Sequence, residues 1–173
     1  MNREPAPRIS DNYHFFNNCI FTPNNTPLPV SDDEKIVVFY EDVKFYCEIG
    51  NGALAGTIVY KSNTGKLFLT NYRLIYLPSV MCLNTLGDVF KTFHCSLTDC
   101  ENIEVGKIKL FVQHQNISVT NLYFDINDGN NGIFTNILYQ KKQEYKELRQ
   151  GNGDSVQYFY SDVVQRANNN TLS

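Results

Sequence analysis

Residues 65–77, Gly65-Lys66-Leu67-Phe68-Leu69-Thr70-Asn71-Tyr72-Arg73-Leu74-Ile75-Tyr76-Leu77, decide the fold of this chain. Two short apolar runs, rich in residues that suit a pleated and half-buried surface, flank a Thr-Asn pair. Asn tolerates the backbone conformations of a tight reversal, so the stretch reads as two antiparallel strands turning at Thr70-Asn71. A period of two puts Leu67 and Leu69 on one face and Phe68 on the other. After the turn, Tyr72, Leu74 and Tyr76 share a face, opposite Arg73, Ile75 and Leu77. Pro78 cannot donate to the ladder and ends it.

The same alternation extends to both sides. Upstream, 35–49 reads as one long strand, broken at Glu41-Asp42 by a bend or bulge. Gly50-Asn51-Gly52 is a turn signal, and 54–61 forms the next strand. Downstream, 79–88 is irregular, while 89–97, 103–105, 107–113 and 117–126 are strands. In 107–113 the alternation puts Ile108, Leu110 and Val112 inward and Lys107, Lys109 and Phe111 outward. Asp128-Gly129-Asn130-Asn131-Gly132 ends the β pattern. A helix over 133–149 follows, with Phe134, Ile137, Leu138, Tyr145 and Leu148 on one face and Gly151 and Gly153 to stop it. A second short amphipathic helix, 154–167, carries Val156, Phe159, Tyr160, Val163 and Val164 at helical spacing. Ahead of all this, 1–33 is a Pro- and Asn-rich arm. Its Tyr13-His14-Phe15-Phe16 and Cys19-Ile20-Phe21 either dock on the domain or bind a partner, and docking is favoured because large apolar patches are uncommon on monomers.

The hairpin G-x-L-x-L-T-N-Y-R-L-I-Y-L resembles the central hairpin of the GRAM/PH-like family, nearest to the N-terminal domain of the WW-domain-binding protein 2 family. The GLUE domain, a ubiquitin- and lipid-binding relative of the PH fold, has a similar hairpin. The resemblance spans about residues 34–148, with a second echo at Phe93-His94-Cys95-Ser96-Leu97-Thr98-Asp99-Cys100-Glu101. It implies a mainly β fold: a PH-like barrel of about seven antiparallel strands capped by a C-terminal helix. Domain organisation follows as an arm (1–33), a PH-like GRAM domain (34–149) and a C-terminal amphipathic extension (150–173). Family members bind WW domains through PPxY motifs. This chain contains none, so that role does not carry over.

Composition narrows the function. With 15 basic and 18 acidic residues, the chain lacks the basic field of a general nucleic-acid binder. No apolar run reaches the ~20 residues of a membrane-spanning helix. The odd set of five cysteines, Cys19, Cys47, Cys82, Cys95 and Cys100, and the lack of an apolar leader lead us to expect a reducing, cytoplasmic or nuclear compartment. His94, Cys95 and Cys100 come nearest to a metal cluster, but His94 and Cys95 would point to opposite faces of one strand. No nucleophile, zinc-protease or P-loop signature occurs, so neither enzyme activity nor a cofactor is expected.

Many PH domains hold phosphates with basic residues on the first two strands and their loop. Here the loop, 48–54, has no Lys or Arg, and Lys44 and Lys61 are the nearest cations. A headgroup needs several converging donors. Arg73 reads as an ion pair or backbone contact that pins the hairpin. The sequence therefore predicts a non-catalytic PH-like module that serves as a protein–protein adaptor or a subunit of a cytoplasmic or nuclear complex, transcription-related as in the family it resembles. Val156, Phe159, Tyr160, Val163 and Val164 are its candidate protein-binding residues. One alternative is a phosphoinositide-binding peripheral adaptor using Lys107 and Lys109, with Lys141 and Lys142 as a further patch. The other is a ubiquitin-binding, GLUE-like module.

Overall fold

At Asp42 the backbone turns into the left-handed region, with φ of 57°. Asp visits this region more readily than most residues because its short side chain can hydrogen-bond locally. This corner separates β1 (Ile36–Tyr40) from β2 (Lys44–Gly50) and sends them into different sheets. The break expected at Glu41-Asp42 is therefore the junction between two layers. The computed structural model describes residues 15–50, 56–112, 119–127 and 129–152.

The remaining elements are β3 (Thr57–Ser62), β4 (Gly65–Thr70), β5 (Arg73–Pro78), β6 (Cys82–Leu83), β7 (Val89–Phe90), β8 (Phe93–Ser96), β9 (Cys100–Glu104), β10 (Lys107–Leu110), β11 (Val119–Asp125) and α1 (Asn131–Asn152). One antiparallel sheet has the order β1-β4-β5-β8 and the other β3-β2-β11-β10-β9. Among the described residues no hydrogen-bonded ladder joins the two, so the expected barrel is a pair of packed sheets. Against the expected count of about seven strands, eleven occur among the described residues. Two of the additions, β6 and β7, are two-residue strands that pair with each other across 79–90.

The decisive hairpin forms as β4–β5, with Leu69 opposite Leu74 and Leu67 opposite Tyr76. Its reversal centres on Asn71-Tyr72, one residue later than the sequence suggests. The Thr70 hydroxyl accepts from the N–H of Tyr72 (3.0 Å) and of Arg73 (2.7 Å), which keeps Thr70 in its strand and starts the turn after it. Gly65 opens β4 because no side chain fits there. A Cβ would run into the Tyr76 hydroxyl and ring and the Leu77 carbonyl. Tyr76 cannot retreat, since its hydroxyl donates to the Val43 carbonyl (2.7 Å) and bonds Ser62 Oγ (3.0 Å). Burial pushes that phenol up to about 12. Gly65→Ala should therefore lower unfolding free energy by about 3 kcal/mol, the upper part of the range for overpacking. Urea denaturation would measure it, and a loss below about 0.5 kcal/mol would show that the Tyr76 contacts are not rigid.

Between the sheets lies one apolar core, built from the inward-facing members of each strand. An aromatic cluster centres on Phe45, stacked on Tyr76 at 4.5 Å and packed against Phe90 and Phe93 at 5.3 and 5.1 Å. Phe15 and Phe16 of the arm belong to this core, and Phe16 stacks on Tyr60 at 3.6 Å between centroids. Asn17 ties this segment to the β7–β8 region, donating its backbone N–H to the Thr92 carbonyl and accepting the Lys91 N–H with its side chain. The arm residues Phe15 and Phe16 thus dock in cis, as favoured from sequence.

Helix α1 packs on β9 and on the short 3₁₀ turn Leu97–Asp99. Phe134, Leu138 and Tyr145 are buried, and Phe134 sits edge-on to both Tyr40 and Phe124. Leu148 does not share that face as expected but is 45% exposed. Gly151 does not stop the helix either, which continues to Asn152. The expected second helix, 154–167, lies outside the described residues.

Candidate functional site

On the outward face of the five-stranded sheet, alternation exposes Lys44, Tyr46 and Glu48 of β2, Val59 and Lys61 of β3, Asn121, Tyr123 and Asp125 of β11, and Lys107 and Lys109 of β10. The ladder register lines them up in cross-strand rows. One row runs Lys61–Tyr46–Tyr123–Lys107–Glu104, as each residue stands opposite the next. Tyr46 and Tyr123 meet edge-to-face at 5.8 Å, and Lys107 Nζ lies 5.7 Å from the Tyr123 ring centroid. In the adjoining row, Glu48 accepts from Asn121 Nδ2 at 3.1 Å and from the Tyr123 hydroxyl at 3.2 Å. Partial burial, with the Glu48 carboxylate beside it, raises the Tyr123 phenol above its usual range, so it remains a donor.

At one end of these rows an open cleft of about 250 Å³ is bounded by Lys44, Tyr46, Lys61, Asn63, Tyr123 and Asp125. The structure thus brings Lys44 and Lys61, the cations nearest the usual phosphate loop, to one cleft, and puts Lys107 and Lys109 on the same sheet face. Most of these lysines stand opposite or near a carboxylate, however. Lys44 stands opposite Asp125, Lys107 opposite Glu104, and Lys109 lies 3.9 Å from Glu101. Lys141 pairs with Glu144 at 3.0 Å, and Lys142 donates to the Glu101 carbonyl at 3.5 Å. Lys107, Lys109, Lys141 and Lys142 therefore spread over β10 and α1, each beside or opposite an acceptor.

The candidate residues Val156, Phe159, Tyr160, Val163 and Val164 lie outside the described residues. The Tyr46–Tyr123 pair was not foreseen. Each tyrosine is visible as an outward member of an alternating strand, but their contact depends on the β2–β11 pairing, which no local pattern encodes. His94 and Cys95 point to opposite sides of β8, as expected. Cys95 enters the core with its Sγ 4.0 Å from Cys100 Sγ, and His94 faces Arg73. Burial pushes the Cys47 and Cys95 thiols far up, so both sit in the core as neutral thiols.

No family model matches the chain, and no curated protein does. Among solved structures, the N-terminal PH domain of Vps36 superposes with a TM-score of 0.54 at 16% identity, covering 78% of this chain and 99% of that one. The fold is PH-like. Two packed antiparallel sheets and a C-terminal helix carry this assignment, while the GRAM likeness rests on sequence resemblance alone, in the hairpin and the 93–101 stretch. No helix among the described residues is long and apolar enough to cross a membrane.

Proposed function

We propose that this chain is a non-catalytic PH-like interaction module that binds a protein partner through the outward face of its five-stranded sheet. The partly exposed Tyr46–Tyr123 pair, set among charges of both signs, carries the reading. Amphipathic aromatics ringed by polar groups are the usual anchors of protein interfaces. A polyanionic headgroup instead needs several converging, uncompensated cations, and most lysines here already have a carboxylate neighbour. Adaptor or subunit roles in a cytoplasmic or nuclear complex, transcription-related as in the family resembled, fit such a module. Val156, Phe159, Tyr160, Val163 and Val164 remain proposed as a second contact, in the helix-in-groove mode.

The test is a complex purified on the intact chain from its native cells. Tyr46→Ala with Tyr123→Ala should weaken partner binding by about 30-fold or more, as loss of a hot spot worth about 2 kcal/mol implies. Thermal stability should stay within a few degrees, since both rings are partly exposed. An undiminished complex would overturn the reading.

The shared cleft of Lys44 and Lys61 favours a second reading, a phosphoinositide-binding adaptor. Flotation with phosphoinositide vesicles at physiological salt should show little binding. Strong, salt-sensitive binding that disappears with Lys44→Glu and Lys61→Glu, or with Lys107→Glu and Lys109→Glu, would establish the lipid reading instead. A ubiquitin-binding role, as in the GLUE domain, is a narrower form of the protein reading. Titration with ubiquitin would single it out by NMR shifts at Tyr46 and Tyr123.

A further inference from the structure

Arg73 lies on the outer face of the four-stranded sheet, 2% exposed, beneath the strap formed by residues 18–34. Its Nε and Nη2 donate to the two Glu34 oxygens, each at 2.8 Å, and Nη2 also donates to the Leu28 carbonyl at 3.1 Å. Glu34 in turn accepts from the Val30 N–H (2.8 Å) and the Thr70 hydroxyl (2.7 Å). The remaining nitrogen, Nη1, lies 3.0 Å from His94 Nδ1 and 3.7 Å from Cys19 Sγ. A guanidinium has donors only, so His94 Nδ1 must be the acceptor. The His94 ring is therefore neutral, with its proton on Nε2.

We infer that His94 is an acid-sensitive latch: neutral, it holds Arg73 in place to clasp the 18–34 strap, and protonated, it releases it. Among the described residues, the following groups face it from the packed elements. Arg73 comes from β5, Glu34 from the strap just ahead of β1, and Cys19 from the strap itself, while Ile75 is the cross-strand neighbour of His94. Burial pushes the Cys19 thiol up to about 11, so it adds no charge. Among the described residues, Arg73 and Glu34 are the charged groups at the latch. A proton on Nδ1 would remove the acceptor and set two N–H donors against each other at 3.0 Å, with both side chains buried. Lifting the strap relieves this by admitting water, while Phe16 and β1 hold its two ends.

The sign follows from linkage. The open state takes up the proton near the ordinary histidine value of about 6.5, and the latched state does not. Latching is therefore complete above about pH 6.5 and weakens as the pH falls below it, by about tenfold at pH 5.5. Hydrogen exchange on the intact chain reads this directly. Between pH 7.5 and 5.5, protection of the Leu28, Val30 and Glu34 amides should fall about tenfold after correction for intrinsic rates, with β2 and β11 unchanged. His94→Asn places a non-titrating acceptor near the Nδ1 position and should abolish the fall. Equal pH dependence in both proteins would overturn the latch. If that variant does not fold, the nitrogen-15 shifts of His94 in the unaltered protein decide. An unprotonated Nδ1 at pH 7.5 is expected, and a protonated one would refute the inference.

Discussion

Arg73→Met should cost about 3–5 kcal/mol of unfolding free energy, the range for removing one partner of a buried ion pair. The substitution strips Glu34, itself 5% exposed, of two charge-assisted hydrogen bonds and leaves a carboxylate facing an apolar sheet. For a chain of this size that corresponds to a melting point lower by about 10 °C. Adding Glu34→Leu should recover most of the loss, because the uncompensated charge goes with it. Denaturation of the two variants at pH 7.5 would measure both steps. If the single variant lost under 1 kcal/mol, the pair would be acting as an exposed one and the strap would be held by other contacts.

Phe16→Ala should be as damaging, at about 3–5 kcal/mol, although it lies far from the strands in sequence. The ring stacks on Tyr60 and packs at 5.7 and 5.3 Å against Phe90 and Phe93, so truncation opens a cavity at the centre of the aromatic cluster. Leu28→Ala is the control within the same arm. Its side chain is 45% exposed, and the change should stay within about 0.5 kcal/mol. Equal and small effects from both would mean that the arm contributes little to the fold.

Several features were legible because they are local. Alternation in 107–110 assigned Ile108 and Leu110 inward and Lys107 and Lys109 outward correctly, since a pleated strand fixes side-chain direction every two residues. The hairpin announced itself through two β-rich runs around Thr70-Asn71, and only its turn residues shifted by one. That shift depended on the Thr70 hydroxyl capturing two backbone amides, a choice between neighbouring turns that propensity does not separate. Helix α1 was recognised from its apolar spacing. Its end was misjudged because a glycine weakens a helix without forbidding it.

By itself, then, the sequence determined the mainly β character, the inward face of β10, the closing helix and the resemblance to PH-like domains. These are written in short-range periodicity and turn chemistry. Tertiary structure alone decided three matters. The corner at Asp42 divides β1 from β2 between two sheets, because strand partners are chosen by long-range packing. Phe15 and Phe16 fill the core, which composition could not distinguish from partner binding because both bury the same apolar area. Tyr46 meets Tyr123, and Arg73 meets Glu34 and His94, across dozens of residues of chain. Such contacts follow from ladder register and strap docking, and no window of the sequence contains them.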